Sequence, residues 1–190
     1  MYKSSGFTLL ELMLVVVIVA ILITMAVPSF QWMVQKVTIS SNVNTFLSDM
    51  RYARSEGIRR GGGVVLCRSD APEAATPACG SGFGLDGNGW VSGWIIFHDL
   101  NNSGTKSTGD PLLRVQAPII AINSILGTLP DSSSSTTFSF TATGRLRSLN
   151  GVTTMPFGGD GMFAKTVQRV VCIGLSGRAR IAGDGATSCG

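Results

Sequence analysis

Gly6-Phe7-Thr8-Leu9-Leu10-Glu11-Leu12 opens an apolar stretch that continues to Val27, broken only by Thr8, Glu11 and Thr24. About 20 apolar residues cross a bilayer as a helix, and residues 7–27 reach that length. Glu11 is the anomaly, because a lone carboxylate inside such a segment carries a cost on insertion. No small-residue cleavage site follows the run, as an ordinary secretory signal requires. Two readings stand: an uncleaved anchor with Lys3 on the cytoplasmic side, or a chain cut ahead of the run. Cutting after Gly6 exposes an α-amino group on Phe7, four residues from Glu11, and an ammonium beside a carboxylate offsets the burial of both. The isolated acid therefore favours the cut.

These residues resemble the class III signal of type IV pilins and of the pseudopilins of type II secretion. The resemblance implies that a prepilin peptidase cuts between Gly6 and Phe7 and N-methylates Phe7. It also implies that Glu11 neutralises the amine of a neighbouring subunit in a filament of pilins. The location it implies is a single pass through the inner membrane with the head in the periplasm, followed by a cell-surface pilus.

The chain is 44% hydrophobic and only 14% charged, an imbalance that the N-terminal run accounts for. Beyond Pro28, which favours a kink rather than a stop, Val43, Phe46, Leu47, Met50 and Ala53 recur at helical spacing. Gly57 and Gly61-Gly62-Gly63 end that pattern. A helix from Phe7 to near Arg60 is roughly 80 Å long at 1.5 Å per residue. Strands are predicted over 64–67, 93–97, 112–115, 119–125, 136–141 and 167–173, from short β-branched and aromatic runs set between Gly, Ser, Asn and Pro. The serines 132–135 read as a solvated loop tip, and residues 158–161 as a turn. The expected organisation is a leader (1–6), a membrane or filament-core helix (7–28), an amphipathic continuation (29–60) and a β-rich head (61–190). The fold class is α+β, a long N-terminal helix packed on an antiparallel sheet.

Cys67, Cys79, Cys172 and Cys189 allow three complete pairings. An exported head favours disulfides. The near-neighbour pairing, Cys67–Cys79 with Cys172–Cys189, closes two short loops. Zinc is the alternative, but there is no CxxC spacing and His98 is the only histidine. No cofactor is expected. Nothing in the sequence has the form HExxH or GxxxxGK, and no nucleophile–base pair with an orienting group stands out, so no enzyme is expected.

Within the head, residues 93–102 (GWIIFHDLNN), 51–56 (RYARSE) and 176–180 (SGRAR) resemble the FimT/FimU minor pilins and the related GspH-type pseudopilin. That resemblance implies a minor filament subunit taking part in pilus biogenesis. A secretion-system pseudopilin, or a minor pilin that only primes assembly, is the alternative. Gly177-Arg178-Ala179-Arg180 has the form of an element associated in the family with DNA binding during natural transformation. A second copy stands at Gly144-Arg145-Leu146-Arg147. In an extended strand, Arg178 and Arg180 share one face, and planar guanidinium forks suit phosphate. The basic residues Arg145, Arg147, Lys165, Arg169, Arg178 and Arg180 face only Asp160 and Asp184 in the last quarter of the chain. A polyanionic partner is therefore sought there. Asp99, Asn101, Ser103 and Asp110 sit at calcium-loop offsets, but with only two carboxylates and an Asp rather than a Glu closing the loop, an ordinary Asn/Gly-rich hairpin loop is the favoured reading.

Overall fold

The computed structural model describes residues 6–147, 149, 151–159, 163–183 and 186–189. Leader residues 1–5 with Lys3, Asp160 and Gly161 of the 158–161 turn, and Asp184 lie outside the described residues. The chain divides into two compact units, residues 1–37 and residues 38–190.

A single helix, α1 (Leu9–Arg60), supplies nearly all of the first unit and the opening of the second. It starts where Thr8 caps it: the Thr8 hydroxyl accepts the Glu11 backbone N–H at 3.2 Å, satisfying one of the orphan donors of a helix start. Every large apolar side chain from Phe7 to Val37 is exposed within the unit. The Lys36 ammonium lies 5.1 Å from the centre of the Trp32 ring. The helix assignment runs on through Pro28.

In the second unit α1 turns one apolar stripe inward, with Ile39, Val43, Phe46, Leu47, Met50 and Ala53 all buried. Two antiparallel sheets receive it. The first has the order β3-β2-β1-β4, built from β1 (Gly62–Arg68), β2 (Trp94–His98), β3 (Leu112–Gln116) and β4 (Thr137–Thr141). The second has the order β5-β6-β7, from β5 (Thr153–Phe157), β6 (Arg169–Ile173) and β7 (Ala179–Ile181). Phe46 is the hub of the core. It meets Trp90 and Trp94 edge-on at 5.6 and 5.4 Å and Phe157 at 5.8 Å, while Trp90 stacks on Phe138 at 5.5 Å. Such pairs add about 0.5–1.5 kcal/mol each beyond the area they bury.

Asp49 is the one acid within this stripe, and it is buried. Its carboxylate accepts the Trp94 indole N–H at 2.8 Å and an Arg114 guanidinium N–H at 2.6 Å. Arg114 in turn lies over the Tyr52 ring at 4.0 Å. One polar cluster thus fixes α1 against β2 and β3.

Gly57 lies inside α1 rather than ending it. A Cβ there would come within 2.9 Å of the Phe140 Cβ, so the glycine lets the helix approach β4 closely. The segment 119–125 is not a strand. Ile119, Ile122 and Ile125 are buried at intervals of three, and only Ile125 makes bridges to neighbouring backbone. β5 has no counterpart among the predicted strands. Pro156 interrupts its apolar run, and it is tolerated because β5 is an outer strand of its sheet. In the serine run, Ser132 and Ser133 form the exposed tip, whereas Ser135 is buried and its carbonyl accepts the Trp90 indole N–H.

Cys67 is bonded to Cys79 and Cys172 to Cys189, the near-neighbour pairing. The first bond, together with the fully buried Arg68, ties down the loop after β1. Arg68 pairs with Asp70 at 2.6 Å and donates to the Ser81 carbonyl at 2.9 Å. The second bond returns the segment after β7 to the outer face of β6, beside Val170, Ala182 and Ala186. Cross-links closing loops of 12 and 17 residues each contribute about 3 kcal/mol by restricting the unfolded chain. Replacing Cys172 and Cys189 together by serine is expected to lower the unfolding free energy of the head by about 3 kcal/mol in urea titrations. No change in the midpoint would show that this bond contributes nothing.

Candidate assembly segment and basic groove

Gly6 and Phe7 precede α1, with both residues exposed. Glu11 is the only charged side chain between them and Lys36, and its carboxylate is solvent-facing on an otherwise apolar helix surface. Among the described residues it has no ion-pair partner. The geometry leaves it free to meet a cation from outside the chain.

The arginines of the head sort into partnered and unpartnered groups. Glu56 binds both Arg59 and Arg60, at 2.5 and 2.7 Å. The Arg59 hydrogen bonds foremost, then those of Arg60, hold the Glu56 carboxyl at about 2, so both pairs persist well into acid. Arg68 is bound by Asp70 and Arg114 by Asp49. Arg147 donates to the Asn102 side-chain oxygen at 2.7 Å, which draws it toward the β2–β3 loop. Arg51, Arg145, Arg178 and Arg180 have no acidic partner among the described residues.

Two adjoining surface depressions gather most of that second group. One is lined by Arg54, Arg145, Ser176 and Arg178, the other by Met50, Arg51, Arg54, Gly177, Arg178 and Ala179. No acidic residue lines either. Arg180 sits in β7 opposite Cys172 and lines neither depression. Lys165 borders a separate hollow with Pro156, Thr166, Gln168 and Val170. Of the five cations singled out in the sequence, the fold brings Arg145 and Arg178 together and leaves Arg147, Arg180 and Lys165 elsewhere.

Residues 42–177 match the family described as type II transport protein GspH, and residues 1–27 match the prokaryotic N-terminal methylation motif. The chain belongs to the GspH family. The fold of this GspH-family chain is also that of the type IV minor pilin FimU of Pseudomonas aeruginosa. Two crystal forms of that protein superpose with TM-scores of 0.54 and 0.52 at 20% identity, over 80% of this chain and 95% and 99% of theirs. No curated protein matches the sequence.

In this GspH-family head the residues at calcium-loop offsets serve the loop between β2 and β3. Asp99 accepts the backbone N–H groups of Ser103 and Gly104 at 3.1 and 2.7 Å. Asp110 accepts those of Leu100 and Ser107 at 3.0 and 2.7 Å, together with the Ser107 hydroxyl. These donors, Leu100 foremost, hold the Asp110 carboxyl below its usual range. Asn101 accepts the Ser103 N–H as well. All four carboxylate oxygens are thus engaged by protein donors. His98 closes β2, half-buried beside Gly63. Sequence reasoning missed Arg54 as a site residue. Its local signals are its place in the 51–56 stretch and one helical turn after Arg51, and neither shows which strands that helix face meets.

Proposed function

We propose that this GspH-family chain is a minor pilin of a type IV pilus, made as a prepilin, held by α1 in the inner membrane with its head in the periplasm, and then built into a cell-surface filament. The observation that carries this reading is the first unit: a helix start that is exposed and almost wholly apolar as far as Val27, bears one carboxylate, and lies within the residues that the methylation motif covers. Such a surface needs lipid or other helices around it. A filament core of neighbouring pilin helices supplies the second environment. The minor-pilin fold of the FimU structures is consistent with a pilus. The family description, type II transport, supports the alternative of a secretion pseudopilin. The unpartnered arginines of the groove support a second activity, binding of DNA for uptake in natural transformation.

In this reading a prepilin peptidase removes residues 1–6 and methylates Phe7. N-terminal sequencing of filament-associated protein is expected to begin at Phe7, and Gly6→Leu is expected to leave most of the chain unprocessed in the membrane. A filament subunit that retained Met1 would overturn the reading. Deleting the gene separates the alternatives: loss of surface pili supports the pilus, whereas loss of exported proteins with pili intact supports the pseudopilin.

A further inference from the structure

We infer that the two Gly-Arg-x-Arg elements are halves of a single phosphate site, completed by Arg54 of α1. The inference rests on the DNA-binding reading and assigns its contacts. In sequence the elements look like two separate clamps, each presenting two arginines. The fold joins them through their glycines. Gly144 and Gly177 both take left-handed backbone conformations, with φ of 72° and 70°, which favour glycine. A Cβ on Gly177 would collide with the Gly144 carbonyl oxygen, and one on Gly144 would come within 2.9 Å of the Arg54 Nε. The glycines thus allow the two turns to pack on each other and on α1, rather than leaving room for a ligand.

The Gly144 carbonyl accepts the Arg54 Nε–H at 2.9 Å. This bond orients the guanidinium and leaves its terminal N–H donors uncommitted. Arg54, Arg145 and Arg178 then line one depression together with the Ser176 backbone or hydroxyl, and Arg51 stands in the adjoining one. Three like charges held together on one surface are stabilised by an anion between them, and guanidinium forks bind the paired oxygens of a phosphodiester in bidentate fashion. The second arginine of each element is not part of the set. Arg147 is held by Asn102, and Arg180 belongs to β7 opposite Cys172. No aromatic residue lines either depression, so stacking on bases contributes little and recognition is of the backbone.

The test uses the processed full-length chain in detergent and a fluorescently labelled mixed-sequence DNA duplex, titrated at several salt concentrations. Arg54→Gln, Arg145→Gln and Arg178→Gln are each expected to weaken binding by about tenfold or more, the scale of one charge-assisted hydrogen-bonding group. Each should also lower the salt slope by about one. Arg147→Gln and Arg180→Gln are expected to stay within about twofold of the native protein, since neither side chain lines the depressions. Unchanged urea midpoints establish that the variants are folded. Equal losses from Arg147→Gln and Arg180→Gln, with Arg54→Gln neutral, overturn the composite site while leaving DNA binding intact. A native chain that fails to bind the duplex at low salt overturns both. In that case, loss of filament incorporation in the Arg54→Gln/Arg178→Gln variant assigns the groove to an acidic surface of a neighbouring subunit.

Discussion

The Glu11→Ala protein is expected to reach the membrane and be processed normally, yet be nearly absent from sheared filaments. The two halves of this expectation come from different energies. Removing a carboxylate from an apolar span lowers the cost of insertion, so membrane levels hold or rise. The start of α1 survives, because the Thr8 hydroxyl binds the Glu11 backbone N–H rather than its side chain. In the proposed filament, what is lost is the anion that would meet the amine left on Phe7 of an adjacent subunit after processing. An unpaired buried charge costs about 3–5 kcal/mol, enough to reduce incorporation by about two to three and a half orders of magnitude. Glu11→Gln, which keeps the shape and loses the charge, is expected to behave alike. Immunoblots of membrane and sheared-filament fractions make the comparison. Incorporation of either variant at the native level would rule out charge pairing as the basis of assembly.

Asp49→Ala is expected to destabilise the head by about 2–4 kcal/mol, since it orphans a buried indole donor and releases an ion pair at once. Trp94 is fully buried, so its N–H has no route to water, whereas Arg114 is 41% exposed and re-solvates. Most of the loss therefore traces to the indole. Asp49→Asn, which keeps an acceptor for it, should recover more than half. Urea unfolding followed by tryptophan fluorescence reads both variants. An Asp49→Ala midpoint equal to native would mean that packing around Phe46 alone fixes α1 on the sheet.

The parts of the fold legible in the sequence are those where one periodicity acts alone. Val43, Phe46, Leu47, Met50 and Ala53 are all buried as their helical spacing requires, the runs at 64–67 and 112–115 lie within β1 and β3, and the run at 136–141 begins one residue ahead of β4. Expectation and structure part where tertiary contacts override local pattern. Residues 119–125 are rich in isoleucine, but only Ile119, Ile122 and Ile125 are buried, every third position, as suits an irregular segment dipping repeatedly into the core. β5 is a strand because β6 pairs with it, not because Thr153-Thr154-Met155-Pro156 favours one. Gly57 reads as a stop in the sequence because a glycine's role as a point of close approach is invisible until Phe140 is placed against it.

The candidate sites divide in the same way. The proposed processing and assembly residues, Gly6, Phe7 and Glu11, fall within six consecutive positions and read together. The groove is spread over positions 54, 145 and 178, and the repeated Gly-Arg-x-Arg pattern suggested two equal clamps. Only the packing of Gly144 on Gly177 explains why the first arginine of each belongs to the groove and the second does not.

That packing also governs timing. The bond from Arg54 to Gly144 spans 90 residues, and Gly177 lies further along still, just ahead of the outermost strand of the second sheet. In the proposed topology, a head that is still being exported carries its arginines dispersed, each a weak and isolated cation. They become one concentrated charge only when the last strand docks. On the inferred phosphate site, a nascent or misassembled head would have no strong grip on polyanions in its surroundings, and the capacity to hold one would arise together with the finished fold.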